Sequence, residues 1–484
     1  MYKKIAGEEK GIYSTLDNIT KSLTVSWHQP GSLEEIQHVN KQLKRKIIVL
    51  DDDPTGAQTV QDLSVLTVWN KTEIQNAFQN NDHIFYILTN TRSYERKRTT
   101  NIIREIMENI ISVANEQGYK FTIISRGDST LRGHYPLELN VASEVLLENM
   151  KEQVDAQIII PAFFEGGRYT YNNIHYVEVN GQLVPVNQTE FAKDRAFGFL
   201  NSNLCNWIEE KTQGEIKSTE CQSISIEELR NGPDDIIKRL LKTEKNQPII
   251  VNALSYDDVD VLSYAILKAE EFGKKFVFQA SASFVKSFAG IETKPYLEKK
   301  QMILPGNEDK GGLVVVGSHV KNTSRQLEKL LQYSECVTGV GVNVNCLLEG
   351  SQRAEEIDRV SLKIHDLIKT GVTAVVYTSR DLVAAEDQVS NLKISQQVSG
   401  SLTEIVKGME ITPSFVISKG GITSSDIATE GLGIKVGRVI GQADAGIPVW
   451  LTGEEAKFAK IPYIIFPGNV GKENTLLEIV NKLI

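Results

Sequence analysis

From residue 47 onward the chain alternates short apolar bursts with polar turns. The first burst is Ile47-Ile48-Val49-Leu50, and similar runs recur at Leu63 to Val68, His83 to Leu88, Phe121 to Ile124, Gln157 to Ile160, Pro248 to Val251 and Lys275 to Phe278. Runs of this length with polar boundaries predict buried strands. Between several of them lie stretches of helical period, Thr100 to Gln117, Pro136 to Lys151 and Val259 to Phe272, and a plausible helix over Ser32 to Lys44 precedes them all. Strand and helix in alternation predict an α/β fold with a mainly parallel sheet. A second series opens at Gly311: strand Leu313 to Val316, an amphipathic helix over Thr323 to Leu331, then strands at Val372 to Tyr377, Phe415 to Ile417 and Tyr463 to Phe466. Leu297 to Lys310, ending in Pro305-Gly306-Asn307, has linker composition. The pattern therefore predicts an N-terminal extension over 1–45, a first α/β domain over 46–296 and a second over 311–484, with a ligand cleft between the two domains.

Composition narrows the function. At 484 residues, 41% hydrophobic and 24% charged, the chain is an ordinary globular sequence. Its formal charge of −9 is the wrong sign for a surface that binds nucleic acid through counterion release. No run of about 18 apolar residues could span a bilayer, and MYKKIAGEEK lacks the apolar core of a signal peptide. Cys205, Cys221, Cys336 and Cys346 are widely spaced with no C-x-x-C pair, which points to neither a zinc framework nor a disulfide lattice. A cytoplasmic location is expected.

In open α/β sheets the loops leaving the carboxyl ends of strands carry ligands. Three such loops in the first half pair charged groups with small residues: Asp51-Asp52-Asp53-Pro54-Thr55-Gly56, Ser125-Arg126-Gly127-Asp128-Ser129-Thr130-Leu131-Arg132-Gly133-His134, and Pro161 to Arg168. Consecutive acids after a buried strand repel one another, which a cation, a shared proton or substrate hydroxyls must relieve, so Asp52 and Asp53 are candidates for a general base or polyol anchor. Arg126 and Arg132 flank Asp128 and Ser129, a set suited to a carboxylate and hydroxyl groups. The loops predict a small, anionic, hydroxylated ligand. In the second half no P-loop or Rossmann fingerprint occurs, since Gly431-Leu-Gly433-Ile-Lys-Val-Gly437 has the wrong spacing. Instead Ser418-Lys419-Gly420-Gly421-Ile422-Thr423-Ser424-Ser425 lies between strand and helix, as does Gly317-Ser318-His319, and Pro467-Gly468-Asn469-Val470-Gly471 precedes the last helix. Glycines admit a ligand to the backbone and helix starts expose N–H groups, so nucleotide phosphates are the expected occupants. His134 and His319 are read as structural.

The ordered set Asp52-Asp53-x-Thr55-Gly56-Ala57, Asp128-Ser129-Thr130-Leu131-Arg132-Gly133, Gly167-Arg168 with His175-Tyr176, Gly317-Ser318, Gly420-Gly421-x-Thr423-Ser424 and Gly468-Asn469-x-Gly471 resembles the four-carbon acid sugar kinase family. That resemblance implies a sugar-acid-binding first domain, a nucleotide-binding second domain and transfer of phosphate from ATP, with Mg2+, to the terminal hydroxyl of a threonate, erythronate or 3-oxo-tetronate. It implies that Asp52, Asp53, Asp128, Ser129 and Arg132 face the sugar acid; Arg126 or Arg168 is a candidate to hold its carboxylate beside Arg132. Ser318, Gly420, Gly421, Thr423 and Gly468 would contact ATP. Relatives carry Lys at Arg126, Asp at Ile422 and Lys-Ser-Gly-Asn at Phe466-Pro467-Gly468-Asn469. The expected partners are the sugar acid and ATP, with no nucleic acid or membrane, and self-association into a homo-oligomer is left open. Two other readings compete. Val49 to Thr55 fits the start of a haloacid-dehalogenase phosphatase, with Asp51 as nucleophile, Asp53 as acid/base and Ser125 as second motif, although Asp234-Asp235 and Asp257-Asp258 follow no suitable strand. A non-catalytic sugar-acid or nucleotide sensor would keep the loops without the chemistry.

Overall fold

The computed structural model describes residues 15–25, 32–318, 320–379, 388–468 and 470–484, so His319 and Asn469 of the glycine loops lie outside the described residues. Strand Arg45–Asp51 is buried almost throughout, and its side chains alternate between two cores. Ile47 and Val49 pack on one face with helices Ser32–Leu43 and Tyr256–Glu271, while Ile48 and Leu50 pack on the other with Arg96–Gln117 and Leu137–Met150. A parallel strand covered on both faces needs an unbroken apolar run, and this is why the bursts were readable. Helix Ser32–Leu43, assigned from the sequence to an extension, is part of this layer: Ile36 and Val39 are buried, and Asn40 Nδ2 donates to the Phe288 carbonyl at 2.7 Å.

Among the described residues one sheet of fifteen strands runs through the whole molecule. In the first domain, Leu63–Leu66, Ile84–Leu88, Arg45–Asp51, Lys120–Arg126, Phe276–Ala280, Ala156–Ile160, Gln247–Val251 and Gln222–Ile224 lie side by side and parallel. In the second, Val337–Val342, Thr373–Thr378, Leu313–Val316, Val416–Lys419 and Pro462–Phe466 are parallel. The antiparallel hairpin Ile447–Thr452 and Val436–Asp444 then carries the sheet across, because Val436–Asp444 pairs antiparallel with Leu63–Leu66 of the first domain. Arg438 reinforces the seam by an ion pair with Asp82 and by donating to the Asp62 carbonyl at 2.6 Å. The linker is packed as well: Leu297 and Met302 are buried, and the Leu297 N–H donates to the Gln442 carbonyl at 2.8 Å. A smaller sheet of Arg168–Tyr171, Ile174–Val179 and Gln182–Pro185 flanks the first domain. Among the described residues no helix is long and apolar enough to cross a membrane.

The seam strand has little room for side chains at one position. A Cβ on Gly437 would lie 2.9 Å from the indole of buried Trp450. Gly437→Val should therefore cost about 1–3 kcal/mol of stability by overpacking. Denaturant unfolding checks this, and an unchanged midpoint would contradict the tight seam.

Candidate active site

Three neighbouring strands of the first domain, Ile84–Leu88, Arg45–Asp51 and Lys120–Arg126, end side by side, and their loops converge. The loop after Ile84–Leu88 turns sharply through Asn90, which takes the left-handed conformation at φ 52°, and delivers Arg92. Sequence reading missed this residue, because its loop holds no glycine and no run of acids. Its guanidinium clamps Asp52 at two points, Nη2 to Oδ1 at 2.8 Å and Nε to Oδ2 at 3.2 Å. It also lies 3.4 Å from Asp53 Oδ2 and 3.7 Å from Asp128 Oδ1. His134 Nε2 braces the Arg92 turn through the Thr91 and Tyr94 carbonyls at 3.1 and 2.9 Å.

The three acids acquire different characters. The Asp52 side chain is 4% exposed. Burial pushes its pKa up to about 6 against the pull of Arg92 and Arg126. Asp53 is 19% exposed. Burial would raise it too, but Arg92 and two hydrogen bonds from Thr55, N–H at 2.9 Å and Oγ1 at 2.5 Å, bring it below the usual carboxylate value. Both Thr55 bonds end on Oδ1, and Oδ2 is directed elsewhere. Asp128 is held far below the usual range: burial opposes ionisation, but Arg132 Nε at 2.6 Å, Arg92 and the Thr130 hydroxyl outweigh it. Asp51 points inward, 1% exposed, and a Cβ on Gly56 would overlap its carboxylate oxygens. Burial raises its pKa well above the usual value.

The remaining predicted residues of this half divide in two. Arg132 and Arg168 both stand over the Phe191 ring, 5.1 and 5.8 Å from its centroid, and the buried Nε of Arg168 has no hydrogen-bond partner. Together they form a cationic wall with unspent donors beside Asp128. Buried Ser129 is fixed through its carbonyl to His175 Nε2 at 2.7 Å, and His175 stays neutral because burial lowers its pKa to about 4. Arg126, in contrast, is only 3% exposed and donates to Gln58 Oε1 at 3.0 Å beneath the acids, so it underpins the cluster and does not face the opening. Ser125 is likewise committed inward, its hydroxyl donating to Glu138 at 2.7 Å.

In the second domain the adjacent strands Leu313–Val316, Val416–Lys419 and Pro462–Phe466 deliver the three glycine loops to one place. Gly420 takes φ +116°, and a Cβ there would sit 3.1 Å from Ser318 Cβ, as would one on Gly468 3.0 Å from Ser318 Oγ. Thr323 Oγ1 ties Ser318 Oγ at 3.3 Å to the Gly468 carbonyl at 2.9 Å, and Thr423 lies against Gly317. Beyond the strand seam, the two sets of loops also meet. A Cβ on Gly421 would lie 2.7 Å from Asp53 Oδ2, the carboxylate oxygen that Thr55 leaves free.

The comparisons with known proteins divide the chain in the same way. Residues 47–288 match the model of a sugar-binding N-terminal domain, and residues 313–476 match that of a nucleotide-binding C-terminal domain. A D-erythronate kinase from Heliobacterium modesticaldum is 23% identical over 376 residues, 75% of this chain and 79% of its own length. Two solved structures share the fold. One is a Salmonella typhimurium LT2 protein named as a candidate tRNA synthase, with TM-score 0.67, 16% identity, and coverage of 89% of this chain and 98% of that one. The other is a Haemophilus influenzae protein of a domain-of-unknown-function family, with TM-score 0.60, 16% identity, and coverage of 90% and 100%. With both domain models matched in order along this sheet, the chain belongs to the four-carbon acid sugar kinase family.

Proposed function

We propose that this protein transfers the γ-phosphoryl group of ATP to the terminal hydroxyl of a four-carbon sugar acid of the erythronate or threonate type. The observation that carries the reading is the meeting of Asp53 Oδ2 with the Gly421 turn, an acceptor of protons against a set of backbone N–H groups. The sugar acid's carboxylate binds Arg132 and Arg168, whose forked donors suit a planar anion. Its hydroxyls reach Asp128, Ser129 and Asp52, and its terminal hydroxyl reaches Asp53. The nucleotide's phosphates lie on Gly420, Gly421 and Thr423, with Ser318 and Gly468 alongside.

In the transfer the terminal oxygen forms a bond to the γ-phosphorus, the bond from that phosphorus to the β-bridging oxygen breaks, and ADP leaves. The hydroxyl proton passes to Asp53 Oδ2. Arg92 keeps Asp53 ionised, so it is a weak base, which suits a loose transition state in which the proton moves late and positioning does most of the work. Among the described residues no three His, Cys, Asp or Glu side chains gather into a metal cage. Mg2+ entering with ATP takes most of its ligands from phosphate oxygens and water, so it requires no ready-made cage. The phosphatase reading has no such support, since Asp51, its nucleophile, is buried beneath Gly56 and Ser125 is bound to Glu138.

An ADP-release screen of the purified protein against C4 and C5 sugar acids, beside p-nitrophenyl phosphate, should give ADP with a four-carbon acid and no hydrolysis of the phosphate ester. ATP binding without ADP under every condition would mean a sensor, and ester hydrolysis alone a phosphatase. Asp53→Asn should lower kcat by roughly 10²–10⁴-fold while ATP affinity changes little, the size expected for losing a proton acceptor; wild-type turnover would remove Asp53 from this role. Arg132→Ala should raise the sugar-acid KM about tenfold or more, the worth of a charge-assisted hydrogen bond, and leave the ATP KM near its original value. A shift in the ATP KM alone would place Arg132 on the wrong substrate.

A further inference from the structure

Lys419, the last residue of strand Val416–Lys419, is fully buried at 0% exposure. It is the one buried lysine or arginine among the described residues from 311 onward. No carboxylate forms an ion pair with it among the described residues. Its Nζ donates to the Pro467 carbonyl at 3.0 Å and lies 3.6 Å from the centroid of the Phe466 ring, its neighbour across the parallel pair. Its own backbone carbonyl accepts from the Gly317 N–H at 3.3 Å, and the next residue is Gly420, whose N–H donates to the Phe466 carbonyl at 2.9 Å. Lys419 is thus bonded to all three glycine loops at their root. A buried amine with one carbonyl and one aromatic face as its neighbours leaves donor capacity unused, at a cost that packing alone does not require.

We propose that Lys419 is the cationic phosphate ligand of the second domain, tethering the Pro467–Gly468 loop when the pocket is empty and presenting its ammonium to the nucleotide's phosphates when it is filled. This rests on the kinase reading and adds to it a residue and a proton. Burial lowers the Lys419 pKa to about 6, with no charged group opposing the shift. The titratable groups on the packed elements are engaged elsewhere: Asp426 accepts from Ser399, and the Tyr463 hydroxyl donates to the Ser424 carbonyl at 2.6 Å. At neutral pH the empty site therefore holds a neutral amine. Phosphates arriving beside it favour the ammonium, so nucleotide binding takes up a proton. The sign is fixed: affinity falls as pH rises above neutrality, because the proton must be drawn from a scarcer supply. The energetic logic also explains how a lysine can sit in this core, since it pays no burial cost for a charge it does not carry until the ligand brings the counter-charge.

The test is calorimetric titration of the full chain with MgATP, without sugar acid, at about pH 8 in buffers of different ionisation enthalpy. At that pH the nucleotide's own phosphates, with second pKa about 6, are fully ionised. Wild-type protein should take up close to one proton per nucleotide. Lys419→Met, an apolar replacement of similar shape, should melt no lower than wild type, bind at least about tenfold more weakly and take up none. Lys419→Arg, charged at every pH, should bind without proton uptake whatever its affinity. No proton uptake by the wild type, uptake that persists in Lys419→Met, or affinity in Lys419→Met within twofold of wild type would overturn the assignment. A merely structural lysine would show a lowered melting temperature in Lys419→Met with uptake unchanged. Failure of the wild type to bind MgATP at all would overturn the kinase reading, and this inference with it.

Discussion

Three aspartates cannot share one small volume unless something holds them there, and in this protein that is the Arg92 guanidinium. It pairs with Asp52 at two points and lies within 4 Å of both Asp53 and Asp128. Two like charges 4 Å apart repel by about 4 kcal/mol near a protein surface, so the cluster would otherwise protonate or spread. The same cation also separates their roles. It offsets only part of the burial that raises the Asp52 pKa, keeps Asp53 ionised from 3.4 Å away at Oδ2, and shares Asp128 with Arg132. A carboxyl of raised pKa, an ionised carboxylate beside the Gly421 turn and a carboxylate shared by two guanidinium groups thus arise from residues of similar chemistry because each meets Arg92 and its surroundings differently.

The continuous sheet decides where this cluster is aimed. Strands of both domains deliver these loops from their carboxyl ends, and Val436–Asp444 joins the two halves of the sheet edge to edge. Edge pairing ties the domains more firmly than a bare linker, so the separation of Asp53 from Gly421 is set by backbone hydrogen bonds along the seam. In this structure the two turns touch. Admitting a phosphoryl group between them calls for movement of the loops or a change of sheet twist, since a free hinge would have to break the seam.

Much of this was legible in the sequence, and the exceptions have physical causes. Strands covered on both faces, such as Ile84–Leu88 and Leu313–Val316, read as unbroken apolar runs. Val436–Asp444 alternates buried with half-exposed positions and carries two glycines, and Val337–Val342 is interrupted by two glycines and partly exposed, so neither stands out from a loop. The charged and glycine loops were found because they follow strands, but their partners were not. Arg92 sits in a loop after a recognised strand, which was the available signal, yet its function comes from residues 40 and 36 positions away in the chain, at Asp52 and Asp128. The difference in character between Asp52 and Asp53 was likewise closed to spacing. It depends on Thr55 occupying one oxygen and Arg92 gripping the neighbour. Arg126 shows the converse: a promising position in sequence that tertiary burial turned into support.

The most direct test is a crystal structure of the protein with a non-hydrolysable ATP analogue, Mg2+ and a four-carbon sugar acid bound together. The account predicts the γ-phosphate on the Gly420–Gly421 turn and the acid's terminal hydroxyl within hydrogen-bonding distance of Asp53 Oδ2, with its carboxylate on Arg132 and Arg168. Ligands on separate faces of the sheet, or a sugar acid with its carboxylate end toward the Gly421 turn, would contradict it.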